Sequence, residues 1–218
     1  MRILSTILAS FAMAFSLQAQ EYTQGVHYQL VEPAQATHDA SKVEVVEVFS
    51  YMCPHCANFQ PYVHPWSEAL SENVSFIRMP VVFRPSWEPF ARAYYTAEAL
   101  GVLDQAHPAM FNALHKKGVR LRNDEDIAKF FEQFGISSED YLKAAKSFTI
   151  ETKLKRAKTL TQRYGITGTP SLVVNGKYRT SATMGQLGSN GVLKATDYLI
   201  AKEPQANQSK AEPEATGN

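Results

Sequence analysis

Phe49-Ser50-Tyr51-Met52-Cys53-Pro54-His55-Cys56 holds the only two cysteines of a 218-residue chain. Just before it runs Val43-Glu44-Val45-Val46-Glu47-Val48-Phe49, rich in β-branched residues, which predicts a strand. Its nearly continuous apolar character suits a strand covered on both faces. Just after it, Ala57-Asn58-Phe59-Gln60 carries no helix breaker before Pro61. A helix is therefore predicted there, kinked at Pro61. The C-x-x-C pair then stands where a strand ends and a helix begins. At such a place unpaired backbone N–H groups and the helix dipole stabilise an anion. A thiolate is such an anion, and it is the nucleophile of thiol–disulfide exchange. The spacing also matches disulfide geometry across one helical turn.

Two other uses of the pair compete. A structural disulfide is one, although so small a loop gains little chain entropy on closure. A metal site is the other, but structural zinc wants four ligands. No second cysteine pair exists, and His27, His38, His64, His107 and His115 follow no ligand spacing. No metal is expected.

Charge and composition narrow the class. The net charge of +1, from 22 basic and 21 acidic residues, gives no reason to expect nucleic acid or an anionic membrane as partner. The chain opens Met1-Arg2, runs apolar from Ile3 to Leu17 and ends that run at Gln18-Ala19-Gln20. This reads as a secretory signal peptide over residues 1–19, cleaved after Ala19. The run falls short of the roughly 20 residues a membrane-spanning helix needs. An exported chain works where disulfides persist. The remainder is long enough for one or two compact domains with a sizeable core.

Taken in order, Tyr28 to Val31 reads as a short edge strand and Val74 to Met79 as a third strand. From Arg84 the pattern turns helical. Pro89 to Leu100 is one segment. A second, stopped by Gly118, has Asp104 as its expected cap. Asn123 is an N-cap for Asp124 to Phe134, with Gly135 past its end. Ser137 caps a long segment from Ser138 to Tyr164, whose weak helix formers Thr149, Ile150 and Thr152 mark the expected kink. The sheet resumes at Ser171-Leu172-Val173-Val174. Asn175-Gly176 then turns the chain into Lys177-Tyr178-Arg179, a hairpin signal because both turn residues tolerate positive φ. A last helix covers about Ser189 to Ala201. Residues 203–218 are polar, without an aromatic, and are expected to be disordered. Trp66, Trp87 and the aromatic stripes of the helical block are assigned to the core.

C-P-H-C after a strand, together with Gly168-Thr169-Pro170, resembles the DsbA family of periplasmic thiol-disulfide oxidoreductases, over about Tyr22 to Lys202. Pattern alone gives an α/β chain with an inserted helical region. The resemblance implies an α/β, thioredoxin-like fold with an inserted α-helical domain. The thioredoxin-like part would comprise residues 20–83 and 152–202, and the insertion residues 84–151.

Cys53 is then the exchanging sulfur and Cys56 the more buried resolving thiol. Pro54 suits the first turn of a helix with or without redox chemistry. The imidazole of His55, and the N–H groups of His55 and Cys56, would stabilise the Cys53 thiolate. The resemblance further implies a cis Thr169–Pro170 bond facing the cysteines. Thr169 would pair with a substrate strand, and Pro170 would keep stray metals and thiols from the sulfurs. Glu47, costly in an apolar strand unless paired or functional, matches the family's buried acid, which relays a proton for Cys56. Arg78 would be its charge partner. The family often has Lys there; Arg keeps the charge but cannot deprotonate. Glu44 is expected to be exposed.

The function implied is a periplasmic dithiol oxidase without bound cofactor. It gives the Cys53–Cys56 disulfide to unfolded, newly exported proteins that contain cysteine. A DsbB-like quinone-linked membrane protein would reoxidise it, and a monomer is expected. Each pH unit by which the Cys53 pKa falls below ambient pH stabilises the reduced protein by about 1.4 kcal/mol, or about 30 mV toward oxidising power. The rivals are a reductase or isomerase, and a module that binds unfolded chains without redox chemistry. Isomerases of this superfamily carry a separate dimerisation domain, for which no spare N-terminal segment is expected here.

Overall fold

The computed structural model describes residues 21–204. The expected signal peptide lies outside them, as does the expected tail from residue 205 onward. The strands are β1 (Gln29–Leu30), β2 (Val43–Phe49), β3 (Val74–Pro80), β4 (Ser171–Val174) and β5 (Tyr178–Ser181). They form one sheet in the order β1-β5-β4-β2-β3. β2 runs parallel to β3 and antiparallel to β4. The helices are α1 (Pro54–Glu68), α2 (Glu88–Ala99), α3 (Leu103–His115), α4 (Asp124–Phe131), α5 (Ser138–Ala145), α6 (Phe148–Arg163) and α7 (Gly188–Lys202). This is a thioredoxin fold with a helical insertion between β3 and β4.

All seven residues of β2 are buried, as its continuous apolar pattern predicts. Its side chains alternate between two cores. Val43 and Val45 join Leu172 and Val174 of the sheet, Phe59 and Val63 of α1, and Val192 and Leu199 of α7. Val46, Val48 and Val173 face the helical block, among them Phe90, Phe111, Ile127, Phe131 and Leu154. Burial of each such side chain contributes about 1.5–3 kcal/mol. Coverage on both faces also overturns the expectation for Glu44, which is 2% exposed. His38 answers it: its backbone N–H donates to Glu44 Oε2 at 2.9 Å, and its Nδ1 lies at the same distance. Trp66 and Trp87 are partly buried against the two cores, as assigned.

Local chemistry sets the helix ends. Asn123 caps α4, its side chain accepting from the Asp126 N–H at 2.8 Å. A 3-10 turn follows, and Gly135 ends it at φ 78°. Asp104 is not a cap: α3 begins at Leu103, with Val102 in the cap position. Asp104 sits in the first turn, where the helix dipole favours an acid. The segment from Ser138 to Tyr164 is two helices. It breaks at Lys146–Ser147, before the β-branched run, because extended Ser147 caps a new helix. Thr149 and Thr152 continue inside α6, and Ile150 is fully buried there. The domain boundary expected after residue 151 therefore falls within a continuous helix.

The Asn175-Gly176 turn forms as predicted, with φ of 50° and 63° and a Lys177 N–H to Val174 carbonyl bond of 2.9 Å. Glu203, assigned to the tail, is instead 4% exposed. Its Oε2 accepts from Lys177 Nζ at 2.7 Å and from Asn175 Nδ2, tying the end of α7 to this turn. The turn also meets Gln35, whose N–H donates to the Gly176 carbonyl at 2.9 Å. A Cβ on Gly176 would stand 2.1 Å from the Gln35 carbonyl oxygen, at a φ that disfavours side chains. Gly176→Ala is expected to cost roughly 2–4 kcal/mol. Denaturant unfolding measures it, and a loss below about half a kcal/mol would contradict this geometry.

Candidate functional site

β2 delivers the chain to the site. Past Phe49 the backbone turns, with the Cys53 N–H donating to the Ser50 carbonyl at 3.1 Å. Cys53 takes the N-cap position of α1 in extended conformation (φ −98°, ψ 113°), and Pro54 opens the helix. α1 runs unbroken through Pro61 and Pro65. Pro54 and His55 are exposed, Cys53 is 7% exposed and Cys56 is fully buried. Both cysteines are free thiols, so this is the reduced pair.

One proton is contested between the two sulfurs. The Cys53 pKa is lowered to about 5. The thiol of Cys56 contributes most as hydrogen-bond donor, helped by the Thr169 side chain and the backbone N–H groups of Cys56 and His55. Burial opposes them and loses. The Cys53 sulfur also lies 3.4 Å from the Thr169 carbonyl oxygen, which can accept only from the protonated thiol. Cys56 moves far the other way, through burial, through its bond to Cys53 and through the Cys53 charge. The pair thus divides into an acidic, partly accessible sulfur and a buried one that keeps its proton.

The other expected site residues fall into two groups. Thr169 and Pro170 are joined by a cis bond, as anticipated. With His55, Gly168 and Met184 they line a cavity of about 350 Å³ beside Cys53. His55 reaches the thiolate through its backbone N–H and is one of the residues that line this cavity. Glu47 lies deeper, with 0% exposure. Arg78 Nε donates to its Oε2 at 2.9 Å and Gln60 Nε2 to its Oε1 at 3.1 Å. Burial raises the Glu47 pKa against both partners. Arg78 pairs with Glu47 in the sheet register, which accounts for their meeting.

Sequence reasoning missed a second layer. His107 of α3 is 6% exposed, and burial lowers its pKa to about 3. Its Nδ1 lies 2.8 Å from the Tyr51 hydroxyl and its Nε2 3.2 Å from Gln60 Oε1. Phe49 and Phe111 pack edge-on against its ring at 5.2 Å. His115 Nε2 donates to the Tyr51 carbonyl at 2.7 Å. The sequence did hold a signal. His107, Phe111 and His115 recur every fourth residue, on one helix face. The same spacing puts Cys56 and Gln60 one turn apart on α1.

This arrangement has close relatives. The DsbA-like thioredoxin domain family matches residues 44–192. The thiol:disulfide interchange protein DsbA of Pseudomonas aeruginosa is 38% identical over 209 residues, covering 94% of this chain and 97% of that protein. The protein of the same name from Azotobacter vinelandii is 39% identical over 214 residues, covering 94% and 98%. The crystal structure of Pseudomonas aeruginosa DsbA superposes with a TM-score of 0.78 at 39% identity, covering 83% of this chain and 94% of that one.

Proposed function

The chain belongs to the DsbA-like thioredoxin family, and from that premise we propose that it is a dithiol oxidase of exported proteins. The division between Cys53 and Cys56 carries the direction of transfer. A thiolate of the substrate attacks Cys53 in the disulfide. The S–S bond breaks, and Cys56 leaves with the electron pair and takes a proton. A second substrate thiolate then attacks the substrate sulfur of the mixed disulfide. Cys53 departs as a thiolate, favoured because a low-pKa thiol leaves faster. The substrate gains a disulfide and the protein two electrons. Of the two substrate protons, one stays on Cys56 and one goes to solvent.

A Cys53 pKa near 5 at neutral pH corresponds to at most about 60 mV of oxidising power, less after solvent screening. The cavity at Thr169, Pro170 and His55 is where the substrate chain lies, its backbone beside that of Thr169. Glu47 exchanges the proton of Cys56. The protein works in the periplasm as a monomer, on unfolded cysteine-containing chains. A quinone-linked membrane protein takes those two electrons from the Cys53–Cys56 dithiol, passes them to quinone and so restores the disulfide.

The test is the equilibrium of Cys53–Cys56 with a glutathione buffer, with thiolate absorbance followed across pH. A disulfide more oxidising than glutathione, and a thiolate that persists to about pH 5, is the expected result. An ordinary thiol pKa with a reducing potential would sink the oxidase in favour of a reductase or a structural disulfide.

A further inference from the structure

A buried hydrogen-bonded chain leads away from Glu47, and its donors can be assigned. The Glu47 carboxylate accepts only, so Gln60 must present its NH₂ to it, 3.1 Å away. Gln60 Oε1 then faces His107 and must accept, so His107 Nε2 carries the hydrogen across 3.2 Å. His107 Nδ1 is left bare, and the Tyr51 O–H donates to it at 2.8 Å. An amide can turn over, and the ring of a neutral histidine can hold its hydrogen on either nitrogen. In this chain neither choice is free. His107 and Gln60 also line a cavity of about 720 Å³ between α1 and α3.

We propose that His107 is a positioning residue for disulfide exchange, which through Gln60 holds a hydrogen-bond donor on the Glu47 carboxylate and so sets the pH at which Glu47 takes the proton of Cys56. This rests on the reading of Glu47 given above. Without His107, Gln60 loses the partner that fixes its orientation. When it turns, its oxygen faces the carboxylate, and the charged form of Glu47 loses a donor. Glu47 then ionises at higher pH. The other charged or titratable groups around this chain are Arg78 from β3, Tyr51 after β2, Cys56, His64 and Glu68 from α1, Tyr94 and Glu98 from α2, Asp104, His115 and Lys116 from α3, and Tyr141 from α5. Burial keeps Tyr51 and Tyr94 neutral near pH 7, because it raises their pKa.

The experiment uses oxidised glutathione and the reduced protein. Cys53 thiolate attacks glutathione disulfide and releases one glutathione. Cys56 then attacks the mixed disulfide and releases the second. Quenched-flow analysis separates the two steps, and each is followed from pH 4 to 9. His107→Phe is expected to slow the second step roughly three- to tenfold at neutral pH and to move its inflection to higher pH. The first step stays as it was, because Cys53 does not use the chain. His107→Gln restores an N–H toward Gln60 and is expected to recover most of the rate. Tyr51→Phe removes only a hydroxyl and shifts the same inflection by less. It serves if the Phe variant does not fold. A second step with wild-type pH dependence in His107→Phe, or in Tyr51→Phe standing in for it, overturns the proposal if Glu47→Gln abolishes the inflection. An inflection that survives Glu47→Gln instead removes the role of Glu47 itself.

Discussion

Cys53→Ser is expected to abolish disulfide transfer, a loss of roughly a thousandfold or more, because a hydroxyl can neither hold the disulfide nor leave as a stable anion. Cys56→Ser should behave in the opposite way. It keeps a hydroxyl donor where the Cys56 thiol now supports the Cys53 thiolate, so Cys53 stays acidic and reactive. What it lacks is the second sulfur, so mixed disulfides with partner chains accumulate. Cys56→Ala removes the donor as well, and its Cys53 should titrate at higher pH than in Cys56→Ser. Non-reducing gels and thiolate titration read these outcomes. Transfer surviving in Cys53→Ser would mean that the pair is not the redox centre. Equal titration in the Ser and Ala variants would mean that the bond between the sulfurs does not set the acidity.

The reduced protein should lose about 2 kcal/mol of stability between pH 7 and pH 4, relative to Cys53→Ser. The folded pKa of Cys53, about 5, lies below the ordinary thiol value. The ionised sulfur therefore favours the folded state. That contribution is complete above the unfolded thiol pKa and disappears as the pH falls through 5. The figure allows for solvent at a sulfur near the surface. Cys56 adds nothing in this window, since its thiol is protonated in both states. Two other groups act, with opposite signs. Burial holds the Glu47 pKa up, so acid relieves the cost of its buried charge. Burial holds the His107 pKa down near 3, so acid favours the unfolded, protonated histidine. Both are common to the two proteins and cancel in the comparison. Unfolding in denaturant at each pH gives the difference. A constant difference would show that Cys53 ionises alike in the folded and unfolded chain.

What the sequence made legible was decided by near neighbours. The β-branched run of β2, the cysteine pair at the start of α1, the Asn175-Gly176 turn and the caps at Asn123 and Ser137 each depend on a few adjacent residues. The rest was decided by contacts the chain makes only when folded. Glu44 looked like a solvent-facing acid in a strand. It is buried because the helical block covers that face, and tolerated because His38 reaches it. Ser147 was hidden within a long helical pattern, since a cap and an ordinary helix residue look alike without the break. His107 seemed unattached because its partners, Tyr51 and Gln60, lie 56 and 47 positions away. Glu203 looked like tail because Lys177 and Asn175 approach it only across the sheet.

Thr169 stands 116 positions beyond Cys53, yet it helps to keep that sulfur ionised. Synthesis delivers Cys53 first, and Thr169 follows only after the whole helical insertion. An unfinished chain thus carries the full C-P-H-C motif without all the groups that make it acidic. Its cysteines are held closer to those of any nascent polypeptide, slower to react with neighbouring thiols. Oxidising strength is in this sense a property of the finished molecule, and its own maturation passes through a chemically quieter stage.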